Sequence, residues 1–232
     1  MIQYETVTRW RREAPPFCLG RYSCRDFEDE MELYLIDDYN EIYPELKNAA
    51  LTDALVTDLL RDNGWVTDGP IRIERLPGGK PVLARDASGA TDDSGASGAQ
   101  VHFSVSHTGH LFGCVISDEP VGLDIQMMTR ANARRLAERY FTEAEIAWIE
   151  AGCEAAPADT QEAPDPARET MAPDTGFRER FFRLWCRKEA YSKLTGEGLA
   201  VVARKEPVVD RPDLEFTDLV LGDGIYGCIC CK

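Results

Sequence analysis

The chain has 232 residues, of which 44% are hydrophobic and 29% charged, a composition typical of a globular protein with a buried core. Its formal net charge of −15 argues against nucleic acid or an anionic membrane as a partner. The apolar runs are too short to cross a bilayer, and the N-terminal segment lacks the apolar region of a secretion signal. We therefore expect a cytoplasmic protein with one large domain or two small ones.

The eight cysteines form no CxxC pair and show no zinc-ribbon spacing. Because no secretion signal accompanies them, we expect reduced thiols. The cluster Cys228, Cys230 and Cys231 fits either a metal site or a plain terminal strand, and the strand is the simpler interpretation.

The first part of the chain predicts strands around one helix. Residues 1–30 show no clear periodicity, whereas MELYLI (Met31–Ile36) predicts a strand. Apolar residues at helical spacing predict a helix from Pro44 to Leu60, which Asn63-Gly64 ends. Alternating patterns predict further strands at IRIER, VHFSV, HLFGCVIS and VGLDI.

Two segments between these strands are predicted to be irregular. Ala87–Gln100 is a low-complexity loop, rich in Gly, Ala and Ser. His107 follows Ser106 and is predicted to lie in a turn before Gly109.

The second part of the chain predicts helices and a terminal strand. Ala131–Tyr140 has a helical pattern, and Thr142 with Glu145 forms a capping box that begins the next helix. Ala151–Gly176 is rich in Ala, Pro, Glu, Asp and Thr, so we interpret it as a disordered surface insertion. A terminal strand is predicted near Ile225–Cys231.

The longest helical pattern is FFRLWCRKEAYSKLTGEG (Phe181–Gly198). Its apolar residues share one face, which predicts that Trp185 belongs to the core. Glu189 and Lys193 are four residues apart and project from the same side. Taken alone, they indicate a surface ion pair worth roughly 0.2–0.5 kcal/mol.

Asp124 lies inside an otherwise apolar strand pattern, where a charge is costly unless it is paired or binds a metal. Four motifs now stand in order along the chain: GGKPVL (Gly78–Leu83), FSVSHTG (Phe103–Gly109), PVGLDIQ (Pro120–Gln126) and LWCRKEAYSKLTGEGL. In this order they resemble the 4′-phosphopantetheinyl transferases of the larger, surfactin-synthetase-activating type, from about Met31 to the C-terminus.

This resemblance implies an α+β fold of two similar subdomains, residues 31–119 and 120–232, related by a pseudo-twofold axis with the active site between them. Compared with the family, residues 1–30 are an N-terminal extension. It implies an enzyme that transfers the 4′-phosphopantetheine arm of coenzyme A to a serine of an apo acyl or peptidyl carrier protein. The products would be the holo carrier protein and adenosine 3′,5′-bisphosphate. Mg²⁺, with Mn²⁺ as a substitute, would be the cofactor, and we expect a monomer.

The resemblance also assigns roles to single residues. Asp124 and Glu189 match metal ligands, and Glu189 is also the candidate base for the serine hydroxyl. Lys193 matches a lysine that contacts the pyrophosphate. The predicted contacts to the phosphates of coenzyme A are Lys80, Ser106 and His107.

Two departures from the family pattern leave an alternative open. Gln126 stands where many members carry a third metal-binding acid. Asn48 stands where they carry a nucleotide-binding arginine, with Lys47 beside it as the candidate substitute. The alternative is a degenerate member that binds coenzyme A or carrier protein without turnover. A thiol hydrolase using Cys186 and His107 is disfavoured, because the sequence around Cys186 carries no activating group.

Overall fold

The computed structural model describes residues 2–3, 18–21, 31–67, 69–84, 101–129, 132–152, 175–199, 206–222 and 224–232. The predicted loop at Ala87–Gln100 and most of the predicted insertion at Ala151–Gly176 lie outside these residues.

The described strands are β1 (Ile2–Gln3), β2 (Cys18–Arg21), β3 (Met31–Ile36), β4 (Ile73–Arg75), β5 (Pro81–Leu83), β6 (His102–Thr108), β7 (Leu111–Ser117), β8 (Val121–Met127), β9 (Glu215–Val220) and β10 (Ile225–Cys231). The described α-helices are α1 (Asn48–Asp62), α2 (Ala133–Tyr140), α3 (Glu143–Ala151) and α4 (Thr175–Thr195), and a short 3-10 helix spans Tyr39–Glu41.

An antiparallel sheet with the strand order β2-β3-β7-β6 carries α1 on one face. The helix buries Leu51, Leu55 and Leu59, which recur at helical spacing, against Tyr34 and Phe112 of the sheet. The two-stranded hairpin of β4 and β5 lies beside this unit.

A second sheet, with the order β1-β9-β10-β8, carries α4. Only the short pair β1–β9 is parallel among its described pairs. The approach of α4 to β8 is close, because a Cβ added at Gly122 would collide with the carbonyl of Ala190. Lys188 and Glu145 are fully buried and form a 2.8 Å ion pair, which joins α4 to α3.

The two sheets pack together through a third layer of aliphatic side chains from β3 and β7 on one side and β8, β9 and β10 on the other. The turn after β4 also touches the end of α4, since a Cβ at Gly78 would meet the carbonyl oxygen of Gly196. The result is a mixed α/β fold with largely antiparallel sheets, in which α1 and α4 lie on outer faces.

The structure confirms the predicted strands β3, β7, β8 and β10 and the capping box of Thr142 and Glu145. The predicted turn at His107 is wrong: β6 continues through Thr108, and His107 pairs with Phe112. Residues 1–30 contribute the edge strands β1 and β2, and β9 was not predicted. The ends of the predicted insertion are also helical, since α3 ends at Ala151 and α4 begins at Thr175.

The three C-terminal cysteines lie in β10 and are buried. Within the described ranges, no group of three or more His, Cys, Asp or Glu residues has the arrangement of a metal site. No helix in the described part of the chain combines the length and apolarity needed to span a membrane.

Candidate active site

A cleft between α1, the β4–β5 hairpin and β6 on one side and β8 and α4 on the other contains most of the predicted site residues. Its larger part, which we name the charged compartment, has a volume of about 520 Å³ and is lined by Asn48, Ala49, Thr52, Arg75, Gly79, Pro81, Val105, Ser106, His107, Asp124, Ile125, Gln126, Glu189 and Lys193.

An adjoining part, which we name the glycine compartment, has a volume of about 320 Å³. Four glycines contribute to it, from the GGKP turn and from the loop after α4: Gly78, Gly79, Gly196 and Gly198. Glu189 and Lys193 line both compartments, so these two side chains stand where the compartments meet.

Glu189 and Lys193 face the cleft from α4, as their spacing predicts. Burial raises the pKa of Glu189, the charge of Asp124 raises it further, and Lys193 lowers it by less. Lys193 Nζ donates to Asp124 Oδ1 at 2.8 Å, so its direct partner is Asp124. Lys193 therefore offsets only part of the rise in the pKa of Glu189.

Asp124 projects from β8 and is 5% exposed. Its Oδ1 accepts hydrogen bonds from Lys193 and from Ser106 Oγ, the latter at 2.9 Å. Its Oδ2 is buried and accepts no hydrogen bond from the described residues. The neighbouring Cys186 thiol donates to the carbonyl of Tyr226.

Ser106 and His107 lie on opposite faces of β6 because side chains alternate along a strand. Ser106 is 7% exposed and bonded to Asp124, whereas the exposed His107 lines the charged compartment and stacks beside Tyr39 with ring centroids 5.8 Å apart. His107 therefore lines the cleft, and its contact with phosphate stays a prediction, while Ser106 already bonds to the protein.

Lys80 lines the glycine compartment, and its Nζ donates to the carbonyl of Leu194 at 3.2 Å. This carbonyl belongs to the last turn of α4, where cations interact favourably with the helix end. Burial lowers the pKa of Lys80. The predicted contact of Lys80 with phosphate stays a prediction.

The start of α1 presents Asn48 to the charged compartment, with a left-handed backbone φ of 52°. Lys47 precedes it as the N-cap residue and is exposed, and it is not among the described residues that line the cleft. The structure thus brings Asn48, rather than Lys47, to the wall of the cleft.

Arg75 is a cleft residue that the sequence interpretation missed. It ends β4, lines the charged compartment, and donates through Nη2 to Asp53 Oδ1 on α1 at 2.6 Å. A guanidinium binds phosphate oxygens in pairs, which a lysine ammonium cannot do. The available signal was its position in IRIER, three residues before Gly78 of the GGKP turn.

The carboxylates suit a small divalent cation. Mg²⁺ prefers oxygen ligands and is commonly held by one or two carboxylates together with substrate phosphates. Asp124 Oδ2 is a buried anionic oxygen without a hydrogen bond from the described residues, and the charge of Asp124 raises the pKa of Glu189. Gln126 lines the same compartment, and its Nε2 donates to the carbonyl of Met127, a bond that uses only the nitrogen of its amide.

Thiol chemistry is not supported by this geometry. Cys186 is fully buried, and burial, followed by the charge of Asp124, raises the pKa of its thiol well above the ordinary value. A nucleophilic cysteine requires the opposite shift and access to substrate. Trp185 packs against the core around Phe141 and Phe181, as predicted.

Comparison with known proteins shows which family this chain resembles. Residues 120–228 match the model of the 4′-phosphopantetheinyl transferase superfamily. The chain is 28% identical over 101 residues to the 4′-phosphopantetheinyl transferase gsp of Aneurinibacillus migulanus, which covers 44% of this chain and 34% of that protein. It is 27% identical over 156 residues to psf-1 of Bacillus pumilus, covering 67% of this chain and 53% of that protein.

A third curated relative, the 4′-phosphopantetheinyl transferase Sfp of Bacillus subtilis strain 168, is 26% identical over 151 residues, covering 65% of this chain and 53% of that protein. The chain thus spans between a third and about half of the length of these relatives. The family resemblance is confirmed: residues 120–228, which carry Asp124 and Glu189, match the 4′-phosphopantetheinyl transferase superfamily.

Proposed function

We propose that this chain transfers the 4′-phosphopantetheine arm of coenzyme A to a serine hydroxyl of an apo acyl or peptidyl carrier protein. The serine oxygen forms a bond to the phosphorus next to the pantetheine, the pyrophosphate P–O bond breaks, and adenosine 3′,5′-bisphosphate leaves. The single observation that carries the proposal is that Asp124, Glu189 and Lys193 meet in one cleft, although they come from β8 and a distant helix.

Each of these residues has a distinct part in the proposed reaction. Glu189 accepts the proton of the attacking serine, and its raised pKa suits a general base better than an ordinary carboxylate does. Lys193, with its Nζ at the floor of the cleft, contacts the pyrophosphate oxygens. His107 and Arg75, on the opposite wall, hold the nucleotide phosphates.

Asp124 and Glu189, with the amide oxygen of Gln126, would hold Mg²⁺ or Mn²⁺. When bound, the cation neutralises charge on the transferred phosphate and orients it. Positioning and charge stabilisation dominate phosphoryl transfer, so a cleft that brings Arg75 and Lys193 together with two carboxylates fits this chemistry.

The proposal extends to the organisation of the chain. Residues 31–119 and 120–232 would be two related subdomains, each with a largely antiparallel sheet and one long helix on its outer face. We propose that it works as a cytoplasmic monomer, and the five described cysteines, all buried, fit a reducing compartment.

The test is to incubate the protein with coenzyme A, Mg²⁺ and several apo carrier proteins, and to follow the mass of each carrier protein. A gain equal to the phosphopantetheine arm is expected, and a carrier protein with alanine in place of its acceptor serine is the control. Binding of coenzyme A without any mass gain across the carrier proteins would instead support the degenerate alternative.

A further inference from the structure

Side chains on one face of β6 hold this strand against β8. The two strands are edge strands of different sheets. Three buried hydroxyls of β6 accept hydrogen bonds from alternate backbone N–H groups of β8: Ser104 from Leu123 at 2.9 Å, Ser106 from Ile125 at 3.1 Å and Thr108 from Met127 at 3.0 Å. Because buried N–H groups are costly when unpaired, these bonds fix the position of β6 beside β8.

The opposite face of β6 carries Phe103, Val105 and His107, because side chains alternate along a strand. Phe103 and Val105 pack into the apolar core beneath α1. His107 is exposed, lines the charged compartment, and pairs with Phe112 of β7. The backbone of His107 is therefore held between β7 and β8.

The imidazole of His107 is not fixed in the same way. Its ring nitrogens make no hydrogen bond or ion pair with the described residues, and its ring contact is with Tyr39, at a centroid distance of 5.8 Å and an interplanar angle of 34°. Aromatic rings at this spacing attract each other and favour tilted or offset arrangements. Stacking on Tyr39 thus limits the rotation of a side chain whose two nitrogens stay available to a ligand.

Tyr39 is itself held in place. It is 9% exposed, and its ring also lies 5.7 Å from that of Phe112, the cross-strand partner of His107. Two residues before it, Asp37 Oδ1 lies 3.3 Å from Nε2 of His110 in the turn between β6 and β7. Tyr39 is not among the described residues that line the cleft, so any effect on a ligand there would pass through His107.

We propose that Tyr39 is a positioning residue for His107, whose imidazole it holds in the orientation that donates to a phosphate oxygen of the nucleotide. The inference rests on the proposed function, since that function gives His107 its phosphate. A ring that is ordered before binding loses less conformational entropy when the ligand arrives, so Tyr39 should raise nucleotide affinity without touching the nucleotide.

The first measurement is made on the protein without ligands. The chain has three histidines, so nuclear magnetic resonance of histidine-labelled protein can follow each imidazole, and His107→Gln assigns one of them. Tyr39→Leu should shift the ring-proton resonances of His107, because the neighbouring aromatic ring is lost. Tyr39→Phe keeps the ring and should leave them in place. His102, at the other end of β6, is the internal reference.

The second measurement is the dissociation constant of adenosine 3′,5′-bisphosphate, determined calorimetrically without carrier protein. Tyr39→Leu should raise it by about three- to tenfold, the effect of losing one aromatic pair, and Tyr39→Phe should stay within about twofold of wild type. His107→Ala should raise it by about tenfold or more. In the His107→Ala protein, Tyr39→Leu should add less than about twofold, because the two residues act through one contact.

Phe103→Leu is the matched control. It also removes an aromatic ring from the core beneath α1, and Phe103 is not among the described residues that line the cleft. This variant should lower the melting temperature and leave the affinity for adenosine 3′,5′-bisphosphate within about twofold of wild type. If Tyr39→Leu does not fold, Tyr39→Met, whose flexible side chain fills gaps, should show the same direction of change in both measurements.

Three results would overturn the inference: His107 resonances that Tyr39→Leu leaves unchanged, equal dissociation constants for Tyr39→Leu and Phe103→Leu, or an effect of Tyr39→Leu that is as large in the His107→Ala protein as in wild type. Unchanged nucleotide affinity in His107→Ala would also overturn it, whereas modification of carrier protein by the wild type would still support the proposed transfer. Coupled effects of Tyr39 and His107, in a wild type that modifies no carrier protein, would contradict the proposed function and leave the role of Tyr39 intact.

Discussion

Lys193 Nζ lies 2.8 Å from Asp124 Oδ1, and this ion pair joins α4 to β8 at the floor of the cleft. Glu189 lies one helical turn before Lys193, yet its pKa is raised, because burial and the charge of Asp124 outweigh the effect of Lys193. The protein without ligands therefore carries a carboxylate whose ionisation opposes folding.

Glu189→Gln should make the protein without ligands more stable at neutral pH. A carboxyl whose pKa is higher in the folded state stabilises the fold below its unfolded pKa, near pH 4.3, and this contribution is lost as pH rises through the folded value. The variant cannot ionise at this position, so its advantage should grow above about pH 4 and vanish below it. Melting temperatures of both proteins between about pH 4 and pH 8, without metal or coenzyme A, measure this difference. A wild type that is the more stable protein at pH 8 would contradict the assigned pKa shift.

The same substitution should remove activity. Glu189→Gln keeps the size of the side chain but cannot accept a proton, so kcat should fall by about 10²-fold or more. Glu197→Gln is the matched control, because Glu197 is exposed in the loop after α4 and is not among the described residues that line the cleft. Carrier-protein modification at saturating coenzyme A and Mg²⁺ provides the rates. Similar rates for the two variants would exclude Glu189 as the base.

Arg75→Ala should weaken the binding of coenzyme A. A charged hydrogen bond contributes roughly 1.5–3 kcal/mol, so KM for coenzyme A should rise by about tenfold or more, with kcat little changed. Arg72→Ala is the control, because Arg72 is an exposed neighbour that is not among the described residues of the cleft wall. Steady-state kinetics with coenzyme A as the varied substrate tests both variants. An equal rise in KM for the two would indicate long-range electrostatics rather than contact.

Gln126→Glu should strengthen Mg²⁺ binding in the absence of coenzyme A. Two carboxylates and a neutral amide hold Mg²⁺ weakly, and substrate phosphates supply the missing oxygens, so in the wild type Mg²⁺ and coenzyme A should raise each other's affinity by the same factor. A third carboxylate should shrink that factor, while its charge repels the pyrophosphate. Calorimetric titrations of Mg²⁺ into both proteins, with and without coenzyme A, measure the factor. Identical affinities in the two proteins would remove Gln126 from the metal site.

Local sequence patterns predict a strand or helix correctly when its own residues determine its structure. The apolar run of β3, the spacing in α1 and the capping box of Thr142 and Glu145 each predict an element that the structure contains. The sequence does not predict β9. Most of its residues are only half-buried, so EFTDLV shows no apolar alternation. The sequence predicts the turn at His107, whereas the chain reverses at Gly109, whose φ is 56°.

The site was predictable only as a set of residue types. The order of the motifs indicates four candidate site residues. All four line one cleft: Asp124, Glu189, Lys193 and His107. Their partners lie far away in sequence: Lys193, for example, bonds to Asp124 across a sequence separation of 69. The local signal for Arg75, its place in IRIER, is weak, because an arginine at the end of a short exposed strand is usually a solvated side chain.

The hydrogen bonds from β8 to the hydroxyls of Ser104, Ser106 and Thr108 on β6 divide the backbone N–H groups of β8 into two sets. Successive N–H groups of a strand point to opposite edges, so those of Leu123, Ile125 and Met127 are held by hydroxyls, while the alternate ones face β10. Separation of the two sheets frees the first set and leaves the second protected, so hydrogen exchange at the two sets reports different motions. Hydrogen exchange within the seven residues of β8 therefore reports both the separation of the two sheets and the unfolding of the sheet that carries Asp124.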